Sequence, residues 1–271
     1  MRLFGKISFL LGLFLCSLGF SQPDTTAISI QYVGNMGVLI SGTQSSILVD
    51  GLHSFYKPAY LPPSEELLER LIANTTEEFP PIRLVLNTHI HKDHFDPSLV
   101  HRFLKANPNA AFMGSTQAQA QILELDSEVQ KRLTAISMES HDRHSLSQNE
   151  VHVSGFYINH GYPERHNKIE NIGFVISIQG ARILHVGDTD WYEEVFKVLE
   201  LNKDQIDLAI LPYWMLMGKK ASALVKTWVN ASHIIGTHIP PHPSEEILTD
   251  IRAAFPNVML FTQLGQTYEI P

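Results

Sequence analysis

The stretch NTHIHKDHFD, residues 87–96, places three histidines and two aspartates within ten positions. It overlaps the end of a short apolar run, IRLVLNT (82–88), that reads as a buried strand. Residues two apart at the end of an extended strand project the same way. His89 and His91 can therefore face one point beyond the strand tip. Asp93 and His94, past the turn, can reach a second point nearby. A polar loop can carry the same residue types with no function. The rest of the chain decides between the two readings, by delivering or withholding matching groups. The mix of imidazole and carboxylate suits Zn²⁺, Mn²⁺ or Fe²⁺ rather than Cu(I) or Ca²⁺.

The chain around this cluster alternates strands and helices. ISIQYVGNMGVLISGTQSSILVD (28–50) reads as three strands, with Gly34, Gly37 and Gly42 at the turns. SEELLERLIAN (64–74) is a capped helix. Asp96 caps a second helix, with Pro97 at its first position. The second half continues with AAFMG as strand, STQAQAQILEL as helix and VHVSGFYIN as strand. IGFVISIQGARILHVGD reads as a hairpin turning at Gln179-Gly180. WYEEVFKVLELN, SALVKTWVN and SEEILTDIRAAF are helical, IDLAILP and HIIGTH are strands, and NVMLFTQLGQTYEI closes with strands. The polar stretch ESHDRHSLSQNE (139–150) reads as solvated loop. The expected class is α/β with mixed sheets in layers and helices outside. With 271 residues, 44% of them hydrophobic, the chain suits one large domain, placed at 22–271.

The first residues read differently. Arg2 and Lys6 precede an apolar run, Ile7 to Phe20, that is short for a bilayer span. Gly19 and Ser21 suit cleavage before Gln22, so residues 1–21 are expected to be a secretory signal peptide, with the mature protein secreted or periplasmic. The alternative is an uncleaved anchor. After cleavage no stable membrane insertion is expected. The one cysteine, Cys16, lies inside this segment. The mature chain would then have neither disulfides nor thiolate ligands, and a metal would depend on His, Asp or Glu. A formal net charge of −8 argues against a general nucleic-acid partner.

Three further strand ends carry a ligand-type side chain beside turn residues. FYINHG presents His160, ILHVGDTD presents Asp188, and IIGTHIPPH presents His238. Strand ends are where sites form in open α/β architectures. His141, His144 and His166 lie near His160 in sequence and compete for its place; the strand end and following glycine favour His160. His53 suits a packing or supporting role, and His185 the core. His101, His152 and His233 sit on periodic elements and read as structural. His242 suits either the site or a surface loop. Tyr162, Tyr213 and Trp214 follow strand tips and could form substrate walls, although aromatic residues there usually just pack. Lys219 and Lys220 read as ordinary exposed lysines.

The H-x-H-x-D-H pattern of residues 89–94, the later single histidine, the Gly187-Asp188 pair and the final His238 together resemble the metallo-β-lactamase superfamily. The likeness runs from YVGNMGVLISGTQSSILVD to GTHIPPH. Within that superfamily the Gly-rich hairpin and G-D-T turn look closest to the branch of L-ascorbate-6-phosphate lactonase and N-acyl phosphatidylethanolamine phospholipase D. Asp190 replaces a small residue often seen after G-D-T there. The resemblance implies an αββα sandwich with metals at one edge, between two sheets. It implies that His89, His91 and His160 hold one metal, that Asp93, His94 and His238 hold a second, and that Asp188 bridges them.

Two divalent ions, Zn²⁺ first with Mn²⁺ or Fe²⁺ as alternatives, would outweigh two carboxylates. Such a site generates hydroxide near neutral pH and attracts an anion. The expectation is metal-assisted hydrolysis of a small ester, lactone or phosphodiester, an anionic substrate being suited to such a site. Asp93 and Asp188 would orient a bridging hydroxide. An iron-dependent oxidoreductase of the persulfide dioxygenase type and a non-catalytic metal-binding module are the competing readings. The resemblance favours cyclic esters or phosphodiesters over β-lactams.

Overall fold

The computed structural model describes residues 27–270, residue 76 excepted. The signal-peptide reading lies outside these residues. The first sheet contains β1 (Ile28–Gly34), β2 (Gly37–Ser41), β3 (Ser46–Val49), β4 (Ile82–Leu86), β5 (Ala111–Ser115) and β6 (Leu133–Ile136). The second contains β7 (His144–Gln148), β8 (Val151–Tyr157), β9 (Ile172–Ile178), β10 (Ala181–His185), β11 (Leu208–Pro212), β12 (His233–Thr237) and β13 (Met259–Leu260). The chain then crosses back, and β14 (Thr267–Ile270) pairs with β1 on the edge of the first sheet. The strand orders are 14-1-2-3-4-5-6 and 13-12-11-10-9-8-7. Each sheet is an antiparallel meander continued by parallel strands.

Two apolar faces per sheet explain the layering. Inward residues such as Ile30, Val38, Ile47 and Leu84 meet Val153, Phe174, Ile183 and Ile210 of the other sheet. The outward face of the first sheet is covered by α1 (Glu65–Ala73), α2 (Pro97–Ala106) and α3 (Thr116–Leu125), with Leu71 and Phe103 fully buried. The outward face of the second is covered by α5 (Glu193–Leu199), α6 (Ala221–Trp228) and α7 (Glu245–Ala254), while the short α4 (Pro163–His166) lies apart from that core. The result is the expected αββα sandwich.

Local signals act as anticipated at several joints. Ser64 Oγ accepts from Leu67 N–H at the start of α1, and Asp96 accepts from Ser98 and Leu99 ahead of Pro97 in α2. Gln179 and Gly180 both take positive φ, 48° and 88°, as a two-residue hairpin turn requires. One expectation is corrected. Residues 144–148, read as loop, form β7, because the backbone of β8 offers a free edge to pair with. Its alternation is masked since an edge strand leaves polar side chains exposed on both faces. No helix among the described residues is long and apolar enough to cross a membrane.

Candidate metal centre

β1, β3, β4, β8, β10 and β12 all point their C-terminal ends at the same edge of the sandwich. The chain leaves β4 through His89–His94, β10 through Asp188 and β12 through His238. His160 lies three residues beyond β8 and is held to Thr189 by a single bridge rather than by a strand. All seven residues proposed from the sequence meet here. His91 Nδ1 lies 3.0 Å from His89 Nε2 and 3.2 Å from His160 Nε2. Asp188 Oδ2 lies 3.9 Å from His89 Nε2 and 3.2 Å from His238 Nε2, while its Oδ1 lies 3.4 Å from His94 Nε2. Asp93 Oδ2 is 3.6 Å from His94 Nε2 and 3.5 Å from His238 Nε2. Three triads, His89/His91/His160, His89/His94/Asp188 and Asp93/His94/His238, each place their ligand atoms within 4.8 Å of one another.

The hydrogen bonds behind the rings fix which nitrogen faces the centre. His160 Nδ1–H donates to Gly161 O at 2.7 Å, leaving Nε2 as a lone pair. Thr88 spends its one hydroxyl proton on Asp50 Oδ2 at 2.6 Å, so its oxygen accepts from His89 Nδ1–H at 3.0 Å. His89 Nε2 is then also a lone pair. His94 Nδ1–H donates to Asp50 Oδ2 at 2.8 Å and turns Nε2 inward. Three imidazole nitrogens of one triad thus face each other with at most one proton, on His91, to share. That repulsive packing and the hard and borderline donor set fit divalent cations. Asp188 Oδ1 and His238 Nε2 are buried without a hydrogen bond, which also fits.

Sequence reasoning missed the supports. Asp50 directly follows β3 and also accepts from Thr88 N–H and Asn87 Nδ2 through Oδ1. The signal was available: a carboxylate closing the apolar run SSILVD, as Asp188 closes ILHVGD. Asn35, in the β1–β2 turn, donates to Asp93 Oδ2, and its carbonyl accepts from His238 N–H. Asn171 accepts from Asp188 N–H through Oδ1. A Cβ at Gly187 would stand 2.3 Å from that Oδ1 at a φ of +61°, so only glycine fits between. His238 itself holds φ +58°, a strained value for a side-chain-bearing residue.

The remaining candidates separate cleanly. His166, on α4, packs against His91 and His160 with ring centres 4.7 and 4.6 Å apart, outside the three triads. His141 Nδ1–H donates to Tyr157 O, its ring stacked on the Tyr157 ring. His53 is fully buried with both ring nitrogens unpartnered, and His185 contacts Met36 O in the core. His101 contacts Asp126 Oδ2, and His152 contacts Ser147 Oγ. His242 is exposed and lies outside the cleft lining. Asp190 accepts from Trp191 N–H. Tyr162, Tyr213 and Trp214 do line the cleft, about 510 Å³ in volume, that opens onto the cluster. Trp214 and Tyr60 stand edge-on to the His238 ring, and Trp214 Nε1 donates to Thr189 O.

Charge divides the histidines of the metal-free chain into two groups. Burial and the neighbouring His160 push His91 down to about 4, and burial holds His89 well below its ordinary value. Burial also opposes protonation of His238, but Asp188 overcomes it and lifts His238 to about 9. His94 is likewise raised against burial by Asp188, Asp93 and Asp50. Asp93 falls to about 2 despite burial, with His94 beside it. A raised group stabilises the fold below its unfolded pKa and loses that contribution as pH rises to its folded pKa. For His238 the loss runs from about 6.5 to about 9. For His91 the contribution is full above about 6.5 and is lost as pH falls toward 4. Chelated protein is therefore expected to show its highest Tm near pH 6.5 and to fall on both sides. Saturating Zn²⁺ should flatten the alkaline limb, since the metal replaces the protons on His94 and His238. Thermal melts with and without chelator from pH 4 to 9.5 check this, and a Tm of the chelated protein that climbs through pH 9 would contradict it.

Residues 46–255 match the β-lactamase superfamily domain. A UPF0173 metal-dependent hydrolase of Bacillus licheniformis is 32% identical over 73 residues, 26% of this chain and 31% of that relative, so the match spans under a third of its length. Among solved structures, the metallo hydrolase Igni18 of Ignicoccus hospitalis aligns with a TM-score of 0.60 at 16% identity, covering 91% of this chain and 99% of that one. CmlA, a diiron β-hydroxylase of Streptomyces venezuelae, aligns at 0.59 and 12% identity, covering 91% of this chain and 55% of that one. At these identities the structures share the fold. By a domain that spans residues 46–255, most of its length, with the whole histidine-bearing edge from His89 to His238 inside it, the chain belongs to the β-lactamase superfamily.

Proposed function

We propose that the protein is a hydrolase working through two divalent cations on a small ester, lactone or phosphodiester. The observation that carries the reading is the meeting of five imidazoles, those of His89, His91, His94, His160 and His238, around the two buried carboxylates of Asp93 and Asp188. His89, His91 and His160 would hold one cation and Asp93, His94 and His238 the other, with Asp188 in reach of both sets. Bound there, such cations bring the pKa of water from 15.7 to about 7 and polarise the group under attack. Asp188 Oδ1 receives no hydrogen bond from the protein and is free to orient the attacking water. Asp93, held at Oδ2 by Asn35, is the second carboxylate of the centre, beside His94 and His238. Tyr60 and Trp214 shield His238 from bulk solvent.

The names of the Bacillus and Ignicoccus relatives, a metal-dependent hydrolase and a metallo hydrolase, support hydrolysis. The Gly-rich hairpin and G-D-T turn favour the lactonase and phospholipase D branch. The likeness to CmlA keeps a diiron oxygen chemistry as the second reading. The apolar run of residues 7–20 supports export, with Gln22 as mature N-terminus. The test is the purified 22–271 chain, loaded with Zn²⁺, Mn²⁺ or Fe²⁺, against p-nitrophenyl phosphodiesters, lactones and nitrocefin. Metal-restored turnover of a phosphodiester or lactone is expected. Two bound equivalents of metal with no turnover of any of these would end the reading.

A further inference from the structure

We infer that the substrate carries an anionic oxygen group away from its scissile bond, held at the cleft mouth by Arg165 and Lys57; this rests on the hydrolase reading. The cleft has two acidic lining residues, Asp93 and Asp188, and both face the histidine cluster. The charged residues lining it outside the cluster are Lys57 and Arg165, both cationic, on a chain of net charge −8. Three arginines elsewhere on the chain are neutralised by carboxylates, Arg70 by Glu78, Arg102 by Glu69 and Arg143 by Asp204. Arg165 forms no ion pair or hydrogen bond through its guanidinium among the described residues, although Glu164 adjoins it. Lys57 also has no carboxylate partner; its ammonium lies over the Tyr56 ring at 4.6 Å, and Lys92 approaches that ring at 6.0 Å.

Lys57 and Arg165 come from different elements, the loop after β3 and the helix α4, and both are exposed to solvent where they line the cleft. A guanidinium offers two parallel donors to a carboxylate or phosphate, and the ammonium adds a point charge. The catalytic centre takes the scissile group, so a second anion at the mouth sets which esters are accepted rather than how they are cleaved.

The test uses a matched pair with one leaving group and one acyl length: 4-nitrophenyl hexanoate and mono-4-nitrophenyl adipate. A third ester, 4-nitrophenyl 6-phosphonooxyhexanoate, tells a phosphate preference from a carboxylate preference. The Zn²⁺-loaded protein is expected to favour at least one anionic ester by about tenfold in kcat/KM, expressed in KM. Arg165→Gln and Lys57→Gln should each pull the anionic-to-neutral ratio toward one, as should raising NaCl from 0.05 to 0.5 M. A wild-type ratio near one, or a ratio unmoved by both substitutions, would overturn the inference while leaving the hydrolase reading intact. If none of these esters is cleaved, the hydrolase reading still rests on the phosphodiester and lactone assays. The inference is then read by calorimetry with the adipate mono-4-nitroanilide: at least about tenfold weaker binding in Arg165→Gln upholds it, and equal binding overturns it.

Discussion

Asp188→Asn is expected to lose metal and activity together, with kcat/KM falling by more than about 100-fold. Asp188 is the one carboxylate in reach of His89, His94 and His238 at once, at 3.9, 3.4 and 3.2 Å. An amide of the same shape keeps the packing but removes the charge that offsets two cations. One of its two ends must also present N–H donors where an acceptor is needed. Removing the orienting partner of a metal ligand typically costs about 10–100-fold in affinity or activity, and a ligand shared by both sets should cost more. The metal-free fold responds in its own way. Burial would raise the Asp188 pKa, yet His238 and His94 hold it well below its ordinary value, so the metal-free protein depends on these attractions. Neutralising the aspartate removes them, so His238 should lose its raised pKa and the alkaline fall in Tm should shrink. Metal content by mass spectrometry, kcat/KM and melts across pH measure all three. Full activity in an Asp188→Asn protein holding fewer than two metals would sink the binuclear reading.

The residues that reach the centre were readable because each announces itself twice. It is a ligand-type side chain at the end of an apolar run, and it is crowded with others, as at His89 to His94, or stands beside Gly or Pro, as at His160, Asp188 and His238. That signal found Asp188 beside Gly187 and His238 ahead of its prolines, and it preferred His160 to His166. The structure shows how narrow that last choice was, since His166 packs 4.6 Å from His160. The groups that aim these ligands carry no such mark. Asn171 opens an ordinary strand, and its role depends on Asp188 N–H arriving from a hairpin whose register local sequence does not report. Asn35 acts within the first sheet, but between strands far apart in sequence, reaching Asp93 58 positions away. The fold was legible where side-chain periodicity and caps decide it and illegible where pairing does. β7 has no buried face, and β13 and β14, close in sequence, join different sheets.

Asp50→Asn is expected to leave the fold in place and weaken metal binding by about 10–100-fold. Asp50 is fully satisfied as an acceptor: Oδ1 takes Thr88 N–H at 2.8 Å and Asn87 Nδ2 at 3.2 Å, and Oδ2 takes Thr88 Oγ1 at 2.6 Å and His94 Nδ1 at 2.8 Å. An asparagine must set its NH₂ against one of these pairs. The backbone N–H of Thr88 cannot become an acceptor, so the amide oxygen takes that side and the NH₂ faces Thr88 Oγ1 and His94 Nδ1. His94 can accommodate a donor only by moving its proton to Nε2, the nitrogen aimed at Asp188. The ring then points N–H, not a lone pair, at the metal position, the same wrong-tautomer defect that disables other histidines deprived of their carboxylate. Asp50 sits at φ +45°, a conformation asparagine tolerates, so the backbone adds no strain of its own. Asp50→Ala is a different experiment. It leaves the buried donors of Thr88 and His94 without acceptors, at a cost of about 1–3 kcal/mol for each orphaned group. Zinc affinity by competition with a chromophoric chelator, together with ¹⁵N shifts of His94, distinguishes the two. Wild-type affinity with the His94 proton still on Nδ1 would show that Asp50 does not govern the ring, and the chain of orientation from β3 through His94 to the metal position would be wrong.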